Sequence, residues 1–386
     1  MKFIYLIYTF LFLLIIINSC SRDEKITLQQ PVDYKINLRW DQAYTNETKE
    51  YVETGLLWTF TFLGAEIPGG SFHQSLVWNN NIVQLNLSEI GFNPIALNAF
   101  AKLLPQLKES EEYKKFNAMD IGRFIMLTLN SSYHYYAITG ASPSYTQVRA
   151  GKIFDPVKAA ITQSNVTSTN RIIEVPDSAF RRFSNMTFIA EECDGSIQLG
   201  TQQAYEREIT ELMSNGQFRF AIYDINNRLL SASNITKTQS GKPAKCLWCH
   251  EINLQPTFNN QTMVAGYYHA DAFNNLIYSN KLFLTAYRNT LNSDIDFTKK
   301  QDHTYAELLY ISFMEPSAER LSIEWNMSVN DVKNKLISLT THSNTEFPYL
   351  GILYDRKDVD LFSPYQYIRV PQSAREFSEY EPDLIH

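Results

Sequence analysis

Phe218-Arg219-Phe220-Ala221-Ile222-Tyr223 alternates as a strand does, with Phe218, Phe220 and Ile222 on one face. Asp224 to Asn227 then supplies turn chemistry ahead of Leu229-Leu230, so a hairpin is expected there. Upstream, Arg171-Ile172-Ile173-Glu174-Val175 and Thr187 to Ala190 also read as strands, while Gln203 to Ser214 reads as a helix between strands. After Leu230 the chain is small and polar as far as Gly241-Lys242-Pro243, a loop that delivers it to Cys246. Residues 151–270 are therefore expected to form a strand-containing region.

On either side the apolar spacing changes to that of helices. Residues 46–150 read as mostly helical: Tyr51 to Leu63 is apolar-rich, and Ile121 to Leu129 is another apolar block. Pro94 to Leu107 carries Ile95, Leu97, Phe100, Leu103 and Leu104 on one stripe. Asn93-Pro94 is a cap followed by proline in the first turn, and Pro105 is expected to kink that helix or end it near Leu104. Pro68-Gly69-Gly70 marks a loop. In residues 271–386, helices are expected over Ala272 to Leu291, Thr304 to Met314, Ser317 to Asn326 and Ser328 to Leu339. The class is α+β, with helical N- and C-terminal regions flanking the strands.

The chain begins with Lys2 and an apolar run from Phe3 to Ile17, shorter than the roughly 20 residues a membrane span needs. It ends in Ile17-Asn18-Ser19-Cys20, which resembles the lipobox of bacterial lipoproteins. The resemblance implies cleavage after residue 19, acylation of Cys20 and stable membrane anchoring. An ordinary secretory peptide or an anchor helix is the alternative, and either one also exports the chain. Ser21-Arg22-Asp23-Glu24-Lys25 resembles the surface-export signal of Bacteroidota lipoproteins, or serves as a solvated tether. Residues 20–45, polar and extended from Pro31 to Thr45, are expected to be that tether. The implied location is the outer membrane, on its periplasmic face or at the cell surface.

The formal net charge is -7, with 13% aromatic and 19% charged residues among 386. An acidic exported chain without a basic run is a poor partner for nucleic acid. The helix-turn-helix-like spacing of Arg320 to Leu336 is therefore read as packing, with Ser328 and Asp331 as a capping box. Four cysteines are present, Cys20, Cys193, Cys246 and Cys249, too few for a disulfide scaffold once Cys20 is acylated.

Cys246-Leu247-Trp248-Cys249-His250 is a C-x-x-C-H sequence and resembles the haem-attachment signature of c-type cytochromes. Two thiols three positions apart can reach the two vinyl groups on one haem edge, and the adjacent histidine then lies under the iron. The resemblance implies one covalent haem c, with Cys246 and Cys249 as anchors, His250 as proximal iron ligand and Trp248 packed beside the ring. For the distal ligand, Met263 and His269 are the nearer candidates and Met314 and Met327 the further ones. Pro256 lacks the preceding glycine that often accompanies the motif, so the likeness covers the attachment residues and little else. A zinc site, a redox thiol pair and a plain disulfide are the other readings of the same residues.

The strand Phe218 to Asp224, a turn and then Cys246 follow the order found in lysine-crosslinked c-haem cytochromes, although no lysine here can be assigned the crosslink. The leading expectation is electron transfer or redox sensing with a partner protein. An open sixth site, serving a haem enzyme or gas-binding protein, is the second. A non-redox surface lipoprotein with a structural Cys/His site is the third.

Overall fold

A computed structural model describes residues 32–164, 166–250, 252–255 and 261–386. The stretch read as an export signal, Cys20 included, lies outside the described residues. The first region pairs helices with a small sheet. Strand β1 (Lys35–Arg39) is followed by helix α1 (Lys49–Phe62), strands β2 (Val77–Asn79) and β3 (Ile82–Asn86), helix α2 (Pro94–Glu109), strand β4 (Met119–Asp120), and helices α3 (Ile121–Thr128) and α4 (Ser132–Thr139). The sheet order is β2-β3-β1-β4, antiparallel except for β1 beside β4.

The extended tether expected over Pro31 to Thr45 is thus drawn into the fold from Lys35. Ile36 and Leu38 are fully buried, and their partners are 44 or more positions away, at Leu85, Val83 and Met119. Helix α2 starts as expected, with the Asn93 side chain accepting the Ala96 N–H. It does not stop at Pro105. Leu103, Leu104 and Leu107 are fully buried on both sides of the proline and hold the helix together across the missing hydrogen bond. Its buried stripe is Ala96, Ala99, Phe100, Leu103, Leu104 and Leu107, which leaves Ile95 exposed.

The central region is a five-stranded antiparallel meander: β5 (Ala159–Ile161), β6 (Asn170–Glu174), β7 (Thr187–Asp194), β8 (Gln203–Leu212) and β9 (Phe218–Asp224). The expected hairpin forms beyond β9, where Asp224 N–H bonds Arg228 O at 2.9 Å and Leu230 N–H bonds Ile222 O at 2.9 Å. The segment read as a helix, Gln203 to Ser214, is the inner strand β8. Its charges hide the alternation, because they pair across strands instead of facing water: Arg171 with Glu208 at 2.8 Å, Arg219 with Glu211 at 2.7 Å, and Arg207 with Glu191 at 3.3 Å. The edge strand β9 is covered from α4, where the Tyr135 and Tyr136 hydroxyls accept the N–H groups of Phe220 and Ile222.

Helix α5 (Pro243–His250) follows the sheet, and then come α6 (Ala270–Arg288), α7 (His303–Met314), α8 (Ala318–Trp325) and α9 (Val329–Lys335), each inside the range expected for it to within two residues. Ser328 accepts the Asp331 N–H at 3.1 Å as the capping box requires. Helix α7 passes against α1 and α3 at two glycines. A Cβ on Gly55 would lie 2.8 Å from Tyr305 O, and one on Gly122 would lie 2.8 Å from Leu309 O. Beside this crossing a buried charge network joins the first sheet to the last helices. Arg320 bonds Asp120 and Glu324 at 2.6 Å each, Arg356 reaches Glu324 at 2.9 Å, and Arg123 meets Glu112 at 3.0 Å. The C-terminal segment then returns to α4, with Leu384 N–H donating to His134 Nε2 at 2.7 Å. The result is an α+β fold whose helical ends share one core around the meander.

Candidate functional site

Helix α5 begins at Pro243, where a proline loses no hydrogen bond. Its sequence places Cys246, Cys249 and His250 at i, i+3 and i+4, so the three share a face. The opposite side buries Ala244 and Leu247 against the core. The shared face opens into a cleft that is partly open to solvent. The floor is the meander, with Ile161, Ile173, Phe188, Ala190 and Thr210 from β5 to β8; Phe273 and Ile277 of α6 close the other side.

His250 is held on both its ring and its nitrogen. The imidazole stacks on Phe220 of β9 at 5.3 Å between centroids and 27° between planes. Its Nδ1 lies 3.3 Å from the Asn253 carbonyl, which can only accept, so Nδ1 carries the proton and Nε2 keeps its lone pair. Burial pushes the His250 pKa down to about 4, which keeps the ring neutral near pH 7. A neutral imidazole with a free Nε2 is the form that ligates a metal.

Cys193, Cys246 and Cys249 carry free thiols. Burial raises the Cys246 thiol well above the usual range and raises Cys249 as well. A redox thiol pair needs the opposite shift, towards the thiolate. Among the described residues no group of three or more His, Cys, Asp or Glu side chains is arranged to hold a metal ion, so a zinc ligand set is not assembled there.

One side of the cavity is charged, a feature the sequence reading missed. Arg171 Nη2 donates to Glu208 at 2.8 Å and to Ser240 at 3.1 Å, and its Nε pairs with the fully buried Glu192. Glu206 stands on the same strand face and accepts the Asn234 N–H at 2.9 Å. Three carboxylates thus crowd one guanidinium. Burial raises the Glu192 pKa, and it pushes Glu206 up to about 7. The only available signal was alternation within Glu206-Arg207-Glu208, concealed by the helix reading.

The remaining candidates lie elsewhere. Met263 is 72% exposed, and His269 caps α6 by accepting the Asp271 N–H at 3.4 Å. Met314 ends α7, Met327 packs beside Trp325, and none of the four lines the cavity. Trp248 is not beside the cavity either. It faces the C-terminal segment, with the Arg375 guanidinium 4.3 Å from its ring. That segment also anchors the start of α5: fully buried Lys242 donates to Glu381 at 2.5 Å and to Ser373 O at 3.1 Å. Pro256 lies outside the described residues. In comparisons with known proteins, no family model, no curated protein and no solved structure matches this chain.

Proposed function

We propose that this chain is a monohaem c-type cytochrome-like protein that works in electron transfer or redox sensing, exported and held at the outer membrane through an acylated Cys20. The observation that carries the reading is the placement of two free thiols and a neutral imidazole on one helix face, all opening into one cavity with an apolar floor and a charged side. Haem c supplies one-electron chemistry at its iron when bound. The residues fit such a group. Cys246 and Cys249 would hold the macrocycle edge, His250 would ligate the iron through Nε2, and the apolar wall from Ile161 to Phe188 would exclude water from the ring. The Asn253 carbonyl takes the orienting role that a Gly-Pro element often fills.

A specific observation favours an open sixth site as the second reading. Among the described residues lining the cavity there is no methionine and no second histidine. Rapid carbon monoxide binding by the reduced protein supports that reading, and failure to bind any added ligand removes it.

The test of the cofactor is a pyridine haemochrome spectrum with intact mass, on mature protein co-expressed with c-haem maturation factors. The expected result is a c-type spectrum and a mass gain of one haem, both lost in Cys246→Ala, Cys249→Ala and in His250→Ala. Absence of covalent haem overturns the proposal and returns the site to a structural Cys/His role.

A further inference from the structure

Two residues beyond His250 the backbone does something costly. Ile252 has φ 61°, in the left-handed region that a β-branched side chain rarely enters, and it is buried there. Such a residue stores about 1–3 kcal/mol and persists only where its surroundings over-determine it. One of those constraints comes from α6. Arg288 Nη2 donates to the Ile252 carbonyl at 2.7 Å, while its Nε donates to Gly216 O at 2.8 Å in the turn between β8 and β9. The guanidinium lies 4.2 Å from the Phe297 ring. Among the described residues it has no carboxylate partner, and burial alone pushes its pKa down to about 9. A half-buried cation with no carboxylate partner among the described residues calls for a use other than ion pairing.

The use lies one residue further along. The Asn253 N–H closes back on His250 O at 2.7 Å, and the Asn253 carbonyl faces His250 Nδ1. The turn therefore has its conformation set at Ile252, its position set by Arg288 against the sheet, and its carbonyl delivered to the imidazole. We propose that Arg288 is a positioning residue that, through the left-handed Ile252, fixes the Asn253 carbonyl against His250 and so sets the donor strength of the iron ligand and the haem potential. This rests on the haem reading of the site. Arg288 does not line the cavity, so it acts through the turn and not by touching the cofactor.

The sign of the effect separates positioning from simple charge. A firm hydrogen bond from Nδ1 makes the imidazole a more basic ligand and favours ferric iron, so loosening the turn raises the potential. Removing a half-buried cation by itself lowers the potential, because ferric iron then loses a repulsive neighbour. The experiment is spectroelectrochemical titration of wild type, Arg288→Lys and Arg288→Gln, each first shown by haemochrome to carry covalent haem. Lysine keeps the charge but cannot bridge both carbonyls with a planar fork. Arg288→Lys is expected to show a raised potential, by as much as a tenfold loss of preference for ferric iron, about 59 mV for one electron, and Arg288→Gln, which loses the cation as well, a potential below that of Arg288→Lys. An unchanged or lowered potential in haem-bearing Arg288→Lys overturns the inference. Loss of folded holoprotein in both variants also overturns it, since the residue is then structural. Absence of covalent haem from wild type sinks the haem reading instead.

Discussion

Replacing Glu381 tests whether the C-terminal segment holds the motif helix in place. Lys242 stands just before Pro243, its side chain fully buried, and its ammonium meets Glu381 at 2.5 Å. Desolvation dominates at Lys242 and lowers its pKa in spite of the carboxylate beside it. The pair is thus one whose attraction does not fully repay the cost of burial. Glu381→Gln leaves the ammonium with neutral carbonyl oxygens only, and an uncompensated buried charge costs about 3–5 kcal/mol. The loss has a ceiling, because the lysine can deprotonate instead. From an ordinary pKa of about 10.4 down to pH 7, at about 1.4 kcal/mol per unit, that route costs about 5 kcal/mol. Denaturant unfolding followed by circular dichroism should show this loss. The double variant Lys242→Met, Glu381→Gln should recover most of it, since an apolar replacement of a buried pair is commonly neutral or stabilising. A single variant losing less than about 1 kcal/mol, or a double variant no better than the single, would refute the reasoning.

Two further outcomes follow from the fold. Gly122→Ala places a methyl carbon 2.8 Å from Leu309 O, where backbone must move, so a loss of about 1–3 kcal/mol in unfolding free energy is expected; a neutral alanine would mean that α3 and α7 do not cross so closely. The Glu206 carboxyl should contribute stability that falls as pH rises from about 4.5 towards 7, against buried His250, whose lowered pKa makes stability rise with pH over the same range. Glu206, raised to about 7 in the folded chain, keeps a proton that the unfolded chain has already released, and the raised Glu192 adds to the effect. The slope is up to about 1.4 kcal/mol per pH unit per group. The thermal midpoint at pH 8 minus that at pH 5 should be more positive in Glu206→Gln than in wild type, and an equal difference would contradict the assignment.

Much of the fold was legible because its signals are local. The caps at Asn93 and Ser328, the turn at Asp224 to Asn227 and the apolar spacing of α6 to α9 each act within a few residues. What escaped was set by distant partners. Lys35–Arg39 is strand only because residues 82–86 and 119–120 flank it. Gln203–Leu212 is strand because β7 and β9 neutralise its charges. Pro105 stays within a helix because three leucines around it are buried.

The candidate site divides along the same line. Spacing alone puts Cys246, Cys249 and His250 together, since three side chains on one helix turn need nothing distant to share a face. What sets the ring and tautomer of His250 comes from elsewhere in the chain. Phe220 supports the ring from the sheet, the Asn253 carbonyl holds the proton on Nδ1, and Arg288 ties down the preceding carbonyl from a helix 38 positions beyond His250. Methionine and histidine candidates chosen by distance along the chain failed to reach the cavity for the matching reason: chain distance says nothing about which wall a residue joins. The proposed attachment residues are therefore a property of one five-residue stretch, whereas the setting of the proposed ligand is a property of the assembled fold. A variant that alters the second without the first should keep its haem and change its potential, which is why Arg288 is the more informative position to perturb than the motif itself.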